Sequence, residues 1–81
     1  METRVGVVGI VIEDLGSAQM VNQVLHEFSD KIVGRMGIPY REKGISVISV
    51  IVDGTVDELS AMTGKLGKIK GVTVKSALTK K

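Results

Sequence analysis

The side chains able to do chemistry are few, and their spacing suits little of it. His26 is the one imidazole and there is no cysteine. Disulfides, thiolate zinc sites, iron–sulfur ligation, a cysteine nucleophile and a multi-imidazole metal site within one chain are therefore excluded. His26 sits between Leu25 and Glu27 and reads as a surface imidazole on a helix. The carboxylate pairs Glu13-Asp14 and Asp57-Glu58 stand at helix starts, where the helix dipole accounts for them without an acid–base role. Gly6-x-x-Gly9 and Gly34-x-x-Gly37 lie within extended runs and open no helix, so they read as close packing or a bulge rather than a phosphate loop. No catalytic residue, metal site or cofactor is expected.

Two places are better suited to a ligand. The turn Glu13-Asp14-Leu15-Gly16 leads from an apolar strand into a helix, and backbone amides at such a junction can hold an anion or a carboxylate. Arg35, Tyr40 and Arg41 fall around a later strand and its loop, where guanidinium groups could receive an anionic ligand. The alternative at both places is structural: helix capping at Asp14 and solvated edge charges at the arginines. After Glu58 no acid follows, while Lys65, Lys68, Lys70, Lys75, Lys80 and Lys81 do. Lysines suit a helix end and guard an exposed sheet edge; the competing reading is a docking surface for an acidic partner or nucleic acid.

At 81 residues these groups must be positioned by a single domain spanning 1–81, since one core usually needs roughly 100 residues. Apolar residues at 43% and charged residues at 25% place the chain in the folded, not the disordered, regime. Only Phe28 and Tyr40 are aromatic, which leaves little from which to build a stacking platform for single-stranded nucleic acid. No apolar run reaches the ~20 residues of a membrane span, and Met1-Glu2-Thr3-Arg4 lacks a signal-peptide pattern, so a cytoplasmic protein is expected.

Arg4 to Glu13 is β-branched and apolar on both alternation sets, as a buried strand requires. Leu15, Ala18, Val21, Leu25 and Phe28 recur at three- and four-residue steps, the stripe of an amphipathic helix that Asp14 can cap. Lys31 to Tyr40 is extended, with Pro39 near its end and a Tyr40-Arg41-Glu42-Lys43-Gly44 loop leading into a second apolar strand, Gly44 to Asp53. Thr55 and Glu58 then have capping-box spacing. Val56, Leu59, Met62 and Leu66 form a second stripe, Gly67 can supply a left-handed stop, and Gly71 to Leu78 alternates as a last strand.

The two halves repeat. Val8, Ile10 and Ile12 fall on Ile48, Val50 and Val52 forty positions later, and Ile32 and Ile38 fall on Val72 and Leu78. Two β-α-β halves with right-handed crossovers give an α+β, ferredoxin-like βαββαβ fold: a four-stranded antiparallel sheet, strands one and three central, two helices on one face. The helices then leave the other face bare, although Val5, Val7, Val11, Val47 and Ile51 make it apolar, with Gly9 and Ser49 as a flat spot. A patch of this kind marks an interface. A homo-oligomer is expected, a dimer through the face or an edge strand, or a tetramer if both are used.

The stretch Val33-Gly34-Arg35-Met36-Gly37-Ile38-Pro39-Tyr40-Arg41-Glu42-Lys43-Gly44-Ile45-Ser46, with Ile51-Val52-Asp53-Gly54-Thr55, Thr63-Gly64-Lys65-Leu66-Gly67 and Val74-Lys75-Ser76-Ala77-Leu78, resembles the small iron-only hydrogenase system regulators over nearly the whole chain. That family is similar to ACT-type ligand-sensing domains and to the C-terminal domain of the nickel-responsive regulator, both ferredoxin-like. The resemblance implies an ACT-like, non-enzymatic regulatory module that self-associates and senses a small ligand or docks on a hydrogenase-system protein. ACT-type domains often hold an amino acid at the first strand-to-helix turn, which maps onto Asp14, Leu15 and Gly16, although their usual Pro-Gly is Leu15-Gly16 here. The imidazole and thiolate ligands of the nickel-responsive regulator have no counterpart, and its DNA-binding ribbon is absent. Two alternatives stand beside this reading: a transcriptional regulator binding DNA through the lysine-rich C-terminal half, and a small enzyme with an anion site anchored on Arg35 and Arg41.

Overall fold

The computed structural model describes residues 2–80; Met1 and Lys81, the first residue of the N-terminal segment and the last of the lysine-rich one, lie outside the described residues. The chain runs β1 (Arg4–Ile12), α1 (Ala18–Glu27), β2 (Ile32–Tyr40), β3 (Ile45–Gly54), α2 (Val56–Gly67) and β4 (Val72–Leu78). Short 3-10 turns occupy Leu15–Ser17, Ser29–Lys31 and Arg41–Lys43. One antiparallel sheet has the order β2-β3-β1-β4, so the two most apolar strands are central, as the ferredoxin-like arrangement requires.

The forty-residue repeat becomes a pairing register. Val8 lies opposite Val50, Ile10 opposite Ile48 and Gly9 opposite Ser49. Alternation along each central strand turns one set toward the helices, and Val8, Ile10, Ile48, Val50 and Val52 form a core with Val21 and Leu25 of α1 and Leu59, Met62 and Leu66 of α2. Gly6 is needed for close approach: a Cβ there would strike the Ala77 carbonyl oxygen and come within 2.9 Å of Leu78 Cα.

Four expectations for the helices and their ends are corrected. Leu15 is 54% exposed, because the chain leaves β1 through a 3-10 turn and α1 begins only at Ala18. Asp14 accordingly caps that turn, its Oδ1 accepting from the Gly16 amide at 3.0 Å, and gives α1 no cap. Val56 is 46% exposed, being the first residue of a helix that starts beyond the end of β3. Gly67 does not adopt the left-handed conformation. Lys68 continues right-handed and Ile69 turns into the core, so the left-handed residue is Gly71, at φ 71°.

The capping box forms: Glu58 N donates to Thr55 Oγ1 at 3.1 Å and Thr55 N to Glu58 Oε1 at 2.9 Å. Lys31, just ahead of β2, reaches the other Glu58 oxygen at 2.9 Å and Asp30 at 3.2 Å. The Lys31 ammonium, then the Thr55 amide and hydroxyl, hold the Glu58 carboxyl down at about 2, against an ordinary 4.5. A carboxylate depressed in the folded state stabilises above its unfolded pKa, and that stability is lost as pH falls through the folded one. The advantage of the wild type over Glu58→Gln is therefore expected to be constant above about pH 4.5 and to fade toward pH 2. Urea unfolding of both proteins across that window checks it; a difference unchanged down to pH 2 would contradict the assignment.

Candidate functional site

The turn after β1 is held from two sides. Glu13 N donates to Gly71 O at 2.7 Å and Ser17 N to Asp14 O at 2.9 Å. Ser17, the one buried polar side chain among the described residues, donates its hydroxyl to Lys70 O at 2.8 Å. The α2–β4 connection at Lys70-Gly71 thus fastens the β1–α1 connection, a pairing of two loops that only the fold brings together. In the turn the Gly16 amide is met by Asp14's own exposed carboxylate. An incoming carboxylate would be chemically equivalent to that acceptor and would have to displace it.

The cluster of Arg35, Tyr40 and Arg41 expected from the sequence does not assemble: Arg35 and Tyr40 fall on opposite faces of β2, and Arg41 lies beyond the end of the strand. Arg35 lies opposite Val50, on the helix face, and its Nη2 donates to Asn22 Oδ1 of α1 at 2.7 Å. Tyr40 lies opposite Ile45, on the open face. Arg41 is in the 3-10 turn at the same end of the sheet as Asp14, since Ser46 pairs with Ile12. Through the register Arg35 stands level with Val8, four residues before Ile12, or roughly 13 Å from that end at 3.3 Å per residue. Among the described residues neither arginine bonds to the Asp14–Gly16 turn. Arg41 shares its end of the sheet and Arg35 does not.

The open face is continuous. Its rows across the sheet, β2 to β4, are Ile38, Val47, Val11 and Thr73; Met36, Ser49, Gly9 and Lys75; and Gly34, Ile51, Val7 and Ala77. Val7, Met36, Ile38, Val47 and Ile51 are exposed, as is Val5 at its end. Where side chains are small, a cleft of about 210 Å³ opens between Gly34, Met36, Ser49 and Ile51. An apolar cleft of about 270 Å³ also lies between the helices, lined by Met20, Val24 and Ile69 and rimmed by Glu27 and Lys65, which pair at 3.2 Å.

The lysines do not form one surface. Lys65 is engaged by Glu27 and stands 5.7 Å from the centre of the Phe28 ring on the helix side, whereas Lys75 lies on the open face through its register with Gly9. Among the described residues no three metal-ligating side chains are grouped, and no helix is long and apolar enough to cross a membrane.

Sequence reading missed Asn22, Ser17 and Lys31 as fastening points, since each acts on a partner distant in the chain. Gly71, between Lys70 and an alternating apolar run, was the readable sign of a tight turn.

Comparison with known proteins follows the same lines. A family profile described as "TM1266-like: Iron-only hydrogenase system regulator, putative" matches residues 4–76. The uncharacterized protein TM1266 from Thermotoga maritima has a similar solved structure, 36% identical, covering 98% of this chain and 100% of its own, with a TM-score of 0.92. The ACT domain from GTP pyrophosphokinase of Chlorobium tepidum is 23% identical over 100% of this chain and 91% of its own, TM-score 0.72. A nitrogen regulatory PII-like protein from Thiomonas intermedia K12, solved with ADP, AMP and bicarbonate, shares the fold at 10% identity over 99% of this chain and 96% of its own, TM-score 0.53. No curated protein matches.

Proposed function

The chain belongs to the TM1266-like family of iron-only hydrogenase system regulators, and on that premise we propose that it is a non-catalytic, ACT-like regulatory module whose copies associate through the open sheet face. The observation that carries the reading is that face: Val5, Val7, Val11, Val47 and Ile51, with Met36 and Ile38 of β2, form one apolar surface that none of the described residues covers. Gly9 and Ser49 keep its centre flat enough for close packing, and the cleft beside them receives a side chain of the second copy. Removing such a surface from water favours association at roughly 25 cal/mol per Å² of apolar area. In the cell this module serves the hydrogenase system through a small ligand or a docked protein.

The ligand site in this reading is the Asp14-Leu15-Gly16 turn. Its class is a small carboxylate or other anion, because the group to be replaced is the Asp14 carboxylate on the Gly16 amide and Arg41, in the turn ahead of β3, supplies a cation at that end of the sheet. Arg35 supports the site through α1 rather than by contact. The ACT-domain likeness and the PII-like protein's adenine nucleotides and bicarbonate support a fold used for small ligands. Native mass spectrometry of gently purified protein is the test. An oligomer carrying extra mass supports both parts, a bare oligomer directs the search to a protein of the hydrogenase system, and a monomer removes the association.

Placing a charge on the face gives the sharper check. Ile51→Lys exposes an ammonium where a partner's apolar surface would lie and leaves the core untouched, Ile51 being exposed. The expected outcome in sedimentation is loss of the face contact with an unchanged unfolding midpoint; a variant that associates like the wild type would count against this interface.

A further inference from the structure

The two edges of the sheet are not equivalent. β2 is blunted twice, by a bulge between Ile32 and Gly34 and by Pro39, which has no amide to donate. β4 has neither: its register with β1 is unbroken from Val72 to Leu78. The backbone bonds at its two ends fix which groups face inward. Thr79 N donates to Val5 O and Glu13 N to Gly71 O, so odd-numbered residues of the strand address β1 and Val72, Val74, Ser76 and Leu78 turn their amides and carbonyls outward. Val72 N is already used, donating to Ile69 O at 3.2 Å. Val74, Ser76 and Leu78 are left with both groups presented to the outside.

From this we infer that β4 pairs with β4 of a second copy, antiparallel about a two-fold axis at Ser76, extending the two sheets into one. The inference rests on the self-association read above but uses a different surface. The register is selected by the groups available. Centring on Ser76 matches Ser76 with Ser76 of the second copy and Val74 with its Leu78, and it engages only unspent amides. Centring on Val74 would call on the Val72 amide that Ile69 holds. Centring on Lys75 would set two ammonium groups face to face, which like-charge pairing across strands disfavours; about Ser76, Lys75 instead meets Ala77.

The helix layer above this edge is shaped for the same neighbour. A groove of about 660 Å³ runs between α2 and β4, lined on the helix by Ser60, Thr63, Gly64 and Gly67. Gly64 and Gly67 have right-handed backbones, and a Cβ at either would meet nothing within 4 Å. Glycine weakens a helix relative to alanine, and no contact among the described residues calls for it at these positions. A two-fold axis at Ser76 brings α2 of the second copy alongside this bare flank, where the absence of side chains lets the two helices approach.

The test is the subunit number of the full chain by native mass spectrometry and sedimentation at tens of micromolar, for the wild type, Ser76→Pro, Gly64→Gln and Ile51→Lys. Ser76→Pro removes an outward amide and spares every bond to β1. Gly64→Gln fills the groove while favouring the helix, so loss of association in it does not come from unfolding. The expected result is that Ser76→Pro and Gly64→Gln each halve the wild-type subunit number with unchanged circular dichroism. Wild-type subunit numbers in both overturn the edge pairing, whatever Ile51→Lys does. A dimer lost in Ser76→Pro and Gly64→Gln but kept in Ile51→Lys upholds the edge and removes the face, and a monomeric wild type overturns both.

Discussion

Gly71→Ala is expected to be among the most damaging single changes in this protein, lowering its stability by about 2–5 kcal/mol, from roughly 1–2 for a left-handed alanine and roughly 1–3 for the collision it causes. At φ 71° a Cβ would stand 2.5 Å from Asp14 Cβ and 2.9 Å from Asp14 N. The obstruction is backbone, which cannot swing aside as a side-chain tip would. Relief requires the two loops to part, and with them go the Glu13–Gly71 bond at 2.7 Å and the Ser17–Lys70 bond at 2.8 Å. Gly44→Ala is the internal control. Gly44 is also left-handed, at φ 67°, but nothing lies within 4 Å of its Cβ position, so only the conformational part, about 1–2 kcal/mol, is expected. Urea midpoints of the two variants separate the terms; equal losses would show that the loop contact is dispensable. Because Asp14 is the residue struck, Gly71→Ala is also expected to disorder the candidate ligand turn.

The second large effect is expected at Leu66. Its side chain is fully buried, and truncation to alanine removes buried methyl groups and leaves a cavity, together costing about 2–5 kcal/mol. For a domain whose total stability is of the order of 5–15 kcal/mol, that is a large share of what holds it folded. Val56 belongs to the same helical stripe in the sequence, yet Val56→Ala is expected to change stability by no more than about 0.5 kcal/mol, because its side chain already faces water. Thermal or urea unfolding of the pair measures the difference. Comparable losses would mean that Val56 is covered, as it would be in an interface between copies.

That contrast also marks the limit of what the amino acids reveal on their own. Strand order, the central pair and the bare face were legible because they follow from a period of two or 3.6 residues and from one internal offset of forty, and the capping box at Thr55 and Glu58 because it is a local three-residue spacing. Leu15 and Val56 were misplaced because period says which side of a helix a residue is on, not where along the chain the helix begins to lie on the sheet. Gly67 was taken for the helix stop for a related reason. A local rule cannot know that Ile69 is wanted in the core two residues later. At the candidate turn, Asp14 and Gly16 were singled out by their junction position. Their clamp of Ser17, Lys70 and Gly71 was not, since loop-to-loop contacts follow only from the completed topology. Arg35 and Arg41 look like one cluster along the chain and are separated by the length of β2, which puts Arg35 level with Val8 and leaves Arg41 in the turn beyond the strand's end.

The register of the sheet also governs how this chain reaches its native state. Every strand pairing joins one half of the repeat to the other: β1 to β3, β1 to β4, and β2 to β3. Neither β-α-β half contains a ladder of its own, so neither is a folding unit despite its sequence symmetry. The β2–β3 hairpin alone closes a short loop; the β1 pairings must close loops spanning much of the chain before any contact rewards them, which slows folding relative to a helical protein of equal length. During synthesis the first half, with Val5 to Ile12 as an unpaired apolar strand, has no native partner until β3 has emerged. The repeat that makes the fold so easy to read therefore makes it a single cooperative act.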